Sequence, residues 1–369
     1  MATSCITILG RTYLRGRKFN TPILAFLVAR DIGLSPFLKA RRVPLPQPAD
    51  LKEICVCQID HLGDVLMITP VLGELRKFAP QAKITLAVGR WCEELALVLK
   101  AGGLVDECIT YTAWPLDPSR RSVFAKMRES YRSWRLATRT LRSKKVDAFF
   151  DLRPWSPNAW LLAHSSRATL RVGYGLRGMA DVYNCIPPYA ADRSTGQAHL
   201  DALQILTGKK CSYTAPILPS VPIAAHLDLP KSGYFVAQLF SREATRNLPP
   251  ELWAEVLRRL AQCKPVVLVG APNDLARAGD LVKVPGVVCV IGKTSIPDMF
   301  GIIEQSNGIV SIDSLAPHVS LAYGKKTAVL MIESISNPRS FPDNNPNLKF
   351  FPAVTGAGEA IESFLSSAP

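Results

Sequence analysis

Cys55-Val56-Cys57-Gln58-Ile59-Asp60-His61-Leu62-Gly63-Asp64-Val65-Leu66-Met67-Ile68-Thr69-Pro70 is the stretch that decides the fold. The apolar run from Ile54 to Ile59 reads as a buried strand. A Gly-Asp pair follows, and then an apolar-periodic segment over 65–78 that reads as a helix. Gly63 and Asp64 therefore stand where strand gives way to helix. In open α/β sheets, ligands bind beyond the carboxyl ends of the strands. A carboxylate there, beside a glycine that opens the backbone to close approach, is a candidate general base. Position alone favours a helix cap; the rest of the chain shifts the balance.

Outward from this stretch, strand and helix patterns alternate. Strands are expected at 83–88, 107–111 and 146–150, with helices at 91–100 and through a basic segment near 120–145. The Pro-rich run Ala215-Pro216-Ile217-Leu218-Pro219-Ser220-Val221-Pro222 breaks the rhythm. A second series follows, with strands at 234–237, 265–270, 287–290, 308–312 and 327–331, and helices at 251–262, at 297–305 and from about 317. Alternation of this kind predicts α/β architecture: two Rossmann-like halves, each a mainly parallel sheet with helices on both faces. The expected division is a basic extension over 1–50, a first domain over 51–215, a linker over 216–232 and a second domain over 233–369, whose last helix is free to pack back on the first.

Hydrophobic residues make up 48% of the 369-residue chain and charged residues 20%, which describes a folded protein and excludes disorder. The nine cysteines are scattered, with no Cys-x-x-Cys and no Cys/His cluster, so the chain reads as reduced thiols of a cytosol, without a zinc site or disulfide framework. The net charge of +14 implies an anionic partner: nucleic acid, a membrane surface or a phosphorylated substrate. It is concentrated in two places. One is the extension, with Arg11, Arg15, Arg17, Lys18, Arg30, Lys39, Arg41 and Arg42; the other is the segment 120–145, with Arg120, Arg121, Arg128, Arg132, Arg135, Arg139 and Arg142. The latter carries an apolar stripe of Phe124, Met127, Tyr131, Trp134 and Leu141, as expected for an inner face, but its charge is nearly all of one sign. No run approaches the roughly 20 apolar residues that span a bilayer; the longest candidate, 22–29, is too short.

Gly173-Tyr174-Gly175-Leu176-Arg177-Gly178 matches the dinucleotide fingerprint by letter, but no clear apolar strand leads into it and no good helix leaves it. Better signals lie in the second half. Asp313-Ser314-Leu315-Ala316-Pro317-His318 joins a strand to a helix, Ser314 is placed to cap that helix, and free N–H groups at a helix start bind anions. Ser295-Ile296-Pro297-Asp298 has capping-box spacing. Arg242 and Arg246 follow the half's first strand, and Asp274, after Gly270-Ala271-Pro272-Asn273, is placed to accept from a ribose. Caps and surface arginines account for each motif alone. Their joint position at the strand ends of one sheet argues for a nucleotide diphosphate. No Asp-x-Asp occurs to hold Mg²⁺ or Mn²⁺, so the leaving diphosphate is expected to rest on helix termini and protein cations, with no metal and no cofactor.

Together these residues resemble the bacterial heptosyltransferases, glycosyltransferase family nine, of lipopolysaccharide core assembly. The resemblance spans about 53–335 in order. Gly63-Asp64-Val65-Leu66 and Thr69-Pro70 match the family's first motif; Phe150-Asp151-Leu152-Arg153 and Arg171-Val172-Gly173-Tyr174 match the middle of its first domain. The segment from Arg246 to Trp253 resembles its Lys-x-Trp-Pro segment, and those from Gly270 to Asp274 and from Asp313 to His318 are similar to its nucleotide-binding motifs. Arg246 stands where the family usually has Lys, and Leu315 where it commonly has Gly. The resemblance implies a GT-B fold with its site in an interdomain cleft, and inverting transfer of a sugar, a heptose, from a donor such as ADP-heptose to a lipid-linked glycan. It implies Asp64 as base; Arg242, Arg246, Asp274, Ser295, Asp313, Ser314 and His318 toward the donor; and His61, Gly63, Arg120, Arg121, Arg128 and Arg135 toward an anionic acceptor. It also implies a cytoplasmic enzyme, peripheral on the inner face of the bacterial inner membrane. A different nucleotide-sugar donor, a non-catalytic nucleotide-sugar or glycan-binding protein, and a nucleic-acid binder remain as alternatives; the last lacks any recognisable motif.

Overall fold

The computed structural model describes residues 29, 43–119, 121–154, 158–176, 180–190, 192–223, 226–332 and 338–367, with backbone alone at 4–8, 11–15, 158 and 338. Two compact units divide the chain, Met1–Tyr213 and Thr214–Pro369. In the first, β1 (Ser4–Ile8) and β2 (Arg11–Arg15) pair as an antiparallel hairpin. Arg120, the rest of the basic extension before residue 43 and the apolar stretch 22–28 lie outside the described residues.

The sheet of the first unit is built from β3 (Glu53–Gln58), β4 (Lys83–Val88), β5 (Glu107–Thr110), β6 (Ala148–Asp151) and β7 (Leu170–Gly173), all parallel, in the order β5-β4-β3-β6-β7. Helices α1 (Leu62–Met67), α2 (Thr69–Phe78), α3 (Glu93–Ala101), α4 (Val123–Lys144), α5 (Asn158–Ser166) and α6 (Thr195–Thr207) connect and follow the strands. β3 is buried along all but its first residue, which is why it reads as a continuous apolar run instead of an alternation. Cys57, Phe149, Leu141 and Leu162 meet in the core beside it.

The helix expected over 65–78 is broken at Ile68 into α1 and α2. Pro70 has no N–H to give the Leu66 carbonyl. The Thr69 hydroxyl donates to that carbonyl instead, at 2.7 Å. A second difference concerns Gly173, which does end a strand. β7 is short and contains a charged residue, Arg171, whose guanidinium donates to the carbonyls of Val182 (2.6 Å) and Ala168 (2.7 Å). The third is in α4. Trp134 and Leu141 pack against the core, but Phe124, Met127 and Tyr131 are exposed. The inward face at this helix is made by Ser133, Ala137, Thr138 and Leu141, small enough to bring it close to its neighbours.

The second unit repeats the plan. Its strands are β8 (Phe235–Gln238), β9 (Val266–Val269), β10 (Val287–Cys289), β11 (Gly308–Ile312), β12 (Thr327–Met331) and β13 (Leu348–Pro352), parallel, in the order β10-β9-β8-β11-β12-β13. Its helices are α7 (Pro250–Ala261), α8 (Asp274–Ala278), α9 (Ile296–Glu304), α10 (Leu315–Ala322) and α11 (Ala357–Ser366). Its own core gathers Phe235, Trp253, Val256, Leu260 and Ile361. The last helix packs within this unit: α11 lies along α7, where Gly358 permits close approach to Val256 and Arg259 pairs with Glu362 at 3.2 Å.

Candidate active site

In each sheet the first strand sits next to the fourth, with successive strands leaving on opposite sides. That is the topological switch point, where the loops part and open a crevice beyond the strand ends. It falls between β3 and β6 in the first unit and between β8 and β11 in the second.

At the β3–β6 point the chain leaves β3 through Asp60, a buried carboxylate. Asp60 Oδ2 lies 2.8 Å from the Nε of Arg153, which follows β6, so an ion pair closes the crevice floor. The Asp60 carbonyl accepts from the Trp91 indole at 2.7 Å. His61 then caps α1 with extended backbone, and its ring lies 3.7 Å from Asp60 Oδ1. Asp64, half-buried in the first turn of α1, accepts from the His61 backbone N–H at 3.2 Å. Gly63 lies between them. Asp64 is thus both a cap and a carboxylate at the crevice mouth. Behind it, Asp151 ends β6 fully enclosed, accepting from the Tyr183 hydroxyl and from Arg153 N–H at 3.2 Å. Burial pushes its carboxyl up to about 7, against the lowering effect of Tyr183 and Arg153.

At the β8–β11 point Arg246 Nη1 stands 3.1 Å from both the Asp313 carboxylate and the Asp313 carbonyl. Ser314 does not cap α10. Its hydroxyl donates to Gln238 Oε1 at 2.6 Å, and the same oxygen accepts from Ala316 N–H at 2.9 Å, so Gln238, ending β8, is the cap. Pro317 has no N–H and the Ala316 N–H is taken by Gln238, so the terminus offers an anion fewer free amides than an ordinary helix start. His318 is buried and stacks on Phe341 at 4.7 Å between centroids. Burial, and secondarily the Arg246 guanidinium, hold it neutral, with its pKa lowered to about 4.

The other expected donor residues sit farther along the same sheet edge. Arg242 is exposed in the loop after β8. Asp274 begins α8, accepting from Ala271 N–H at 3.0 Å and pairing with Arg277, whose guanidinium lies 4.3 Å above the Phe240 ring. Ser295 caps α9, accepting from Asp298 N–H at 3.2 Å, beyond the edge strand β10 and three strands from β11. The structure thus brings Arg246, Asp313, Ser314 and His318 together and leaves Ser295 apart. Arg121 pairs with Asp117 at 3.2 Å ahead of α4, and Arg128 and Arg135 lie exposed along that helix. Among the described residues no group of three or more His, Cys, Asp or Glu is placed to hold a metal ion. Sequence reasoning missed Asp60, Arg153, Asp151 and Gln238 as site residues. Their signal was a polar side chain at the end of a buried apolar run.

Residues 196–346 match the sequence profile of Glycosyltransferase family 9 (heptosyltransferase). That stretch is similar to a family 9 glycosyltransferase domain. No curated protein matches the chain. Solved structures share its GT-B fold. The family 9 glycosyltransferase of Veillonella parvula is 21% identical, with a TM-score of 0.66 over 84% of this chain and 90% of that one. The E. coli heptosyltransferase WaaC, solved with ADP, is 17% identical, with a TM-score of 0.67 over 85% and 98%. The E. coli ADP-heptose heptosyltransferase II is 17% identical, with a TM-score of 0.64 over 83% and 92%.

Proposed function

We propose that this glycosyltransferase moves a heptose, with inversion, from a nucleotide-diphosphate donor such as ADP-heptose to an anionic glycan acceptor of the lipopolysaccharide-core type. The observation that carries the reading is positional: a carboxylate at one switch point, and a cation with a polar cluster at the other. Asp64 takes the proton from the acceptor hydroxyl as that oxygen attacks the anomeric carbon, the diphosphate leaves, and one displacement inverts the centre. Arg246 and Arg242 meet the diphosphate's charge, while neutral His318 and Ser314 serve it as hydrogen-bond partners. Asp313 orients Arg246. Asp274 meets the ribose, and Ser295 holds the α9 start nearby. The protein's cations take the place of a divalent ion. His61, Gly63, Arg121, Arg128 and Arg135 face the acceptor. The enzyme works at the inner face of the bacterial inner membrane; no helix among the described residues is long and apolar enough to cross one.

A second donor is favoured by one feature. Leu315 opens α10 with a side chain where the resembling family commonly has glycine, which restricts backbone approach beside the diphosphate. A screen of nucleotide sugars by thermal shift separates the two donors. The decisive experiment is Asp64→Asn: donor affinity is retained, and single-turnover transfer falls about 10² to 10⁴-fold. Normal transfer by the variant would leave Asp64 as a cap alone.

A further inference from the structure

α4 turns its large apolar residues outward. Phe124 is 80% exposed, Tyr131 58% and Leu136 64%, with Met127 beside them. The exposed arginines Arg128, Arg132, Arg135 and Arg139 fall on the same side. Counted from 124, these positions run at steps of three and four, so they form one stripe about 22 Å long. The helix's one acid, Glu129, is turned aside to Arg90 at 3.5 Å. Ordinary exposed helices mix charges and hide their large apolar residues. This one interleaves cations with aliphatic and aromatic groups on its solvent side.

That combination fits an anionic bilayer. Arginines sit at headgroup level, and a Leu, a Met and two aromatic rings reach the acyl boundary. A phosphate backbone would engage the arginines but give Leu136 and Met127 nothing to bury against. The location agrees. α4 starts from the carboxyl edge of the sheet after β5, and Arg90 and Trp91, at the same edge, link it to Asp60.

We propose that this face of α4 docks the protein on an anionic lipid bilayer and so sets the carboxyl edge of the sheet, with Asp64, at the headgroup layer from which a lipid-linked acceptor projects. The second half of that statement rests on the transfer reading above; the docking does not.

The test is co-sedimentation of the full chain with phosphatidylglycerol-containing vesicles, without donor, against vesicles of phosphatidylcholine alone. The parent binds the anionic vesicles at low salt and is released as salt screens the charge. Joint replacement Phe124→Ser, Met127→Ser and Leu136→Ser lowers the partition coefficient at least about tenfold, as does Arg132→Gln with Arg139→Gln. Unchanged thermal unfolding and an unchanged nucleoside-diphosphate shift show that the variants fold. Sedimentation of the apolar variant equal to the parent's would overturn the proposal. So would a dependence on the arginines alone combined with tight binding to single-stranded RNA, which would make the face a polyanion site. A protein that docks but transfers nothing sinks the transfer reading alone; one that transfers but does not dock sinks the docking alone.

Discussion

Asp151 has its carboxylate enclosed at the end of β6, raised from the ordinary 3.8 to about 7 chiefly by burial. A carboxyl raised in the fold binds its proton more tightly folded than unfolded. It therefore favours folding while protonated, and that contribution is lost as pH climbs from about 3.8 to about 7. Asp151→Asn removes the dependence. The stability difference, variant minus parent, should grow from pH 4 to pH 7 with a slope of at most about 1.4 kcal/mol per pH unit, measured by denaturant titration. His199 and His318, both lowered to about 4 by burial, slope the opposite way below 6.5, but they are common to both proteins and cancel in the difference. A flat difference would mean that Asp151 is ionised throughout. Asp64 was legible in the sequence because its own neighbours announce a strand end. Asp60 and Arg153 were not, because their meaning is a pairing across β3 and β6, which no local window contains.

At the scale of elements, strands buried on both faces were the clearest signals, and β4, β11 and β12 occupy the spans expected of them. β7 escaped notice because its Arg171 interrupts the apolar run, and its place is secured by bonds to residues up to 13 positions away. The cap of α10 escaped for a related reason. Ser314 has the right chemistry, but Gln238 from another strand reaches the amide first. Gln238→Leu should leave the Ala316 N–H short of an acceptor, while the Ser314 hydroxyl falls back on the Ile312 carbonyl at 3.2 Å, lowering stability by about 1–3 kcal/mol. It should also weaken a nucleoside diphosphate more than the free nucleoside in isothermal titration. Equal weakening of both would make Gln238 a structural cap without influence on the anion site.

For the whole molecule, each unit carries its own core and its own switch point. The alternation of elements along the chain made this plan readable, because parallel strands require helical crossovers. Chain order does not say which strand is central, so the placing of the two switch points required the structure. If the proposed donor residues of the second unit hold it, a nucleoside diphosphate should slow amide exchange near 238–246 and 313–318 and leave 61–64 unchanged; mass spectrometry of exchanged peptides checks this. Protection centred on 61–64 would reverse the assignment of donor and acceptor sides. The proposed docking through the outward stripe of α4 carries a kinetic consequence. An enzyme held on a leaflet searches for its acceptor in two dimensions, where the effective concentration is set by how densely acceptors populate the surface. Its rate then follows their mole fraction in the lipid, and adding inert lipid slows it even while the amount of acceptor in the tube stays the same.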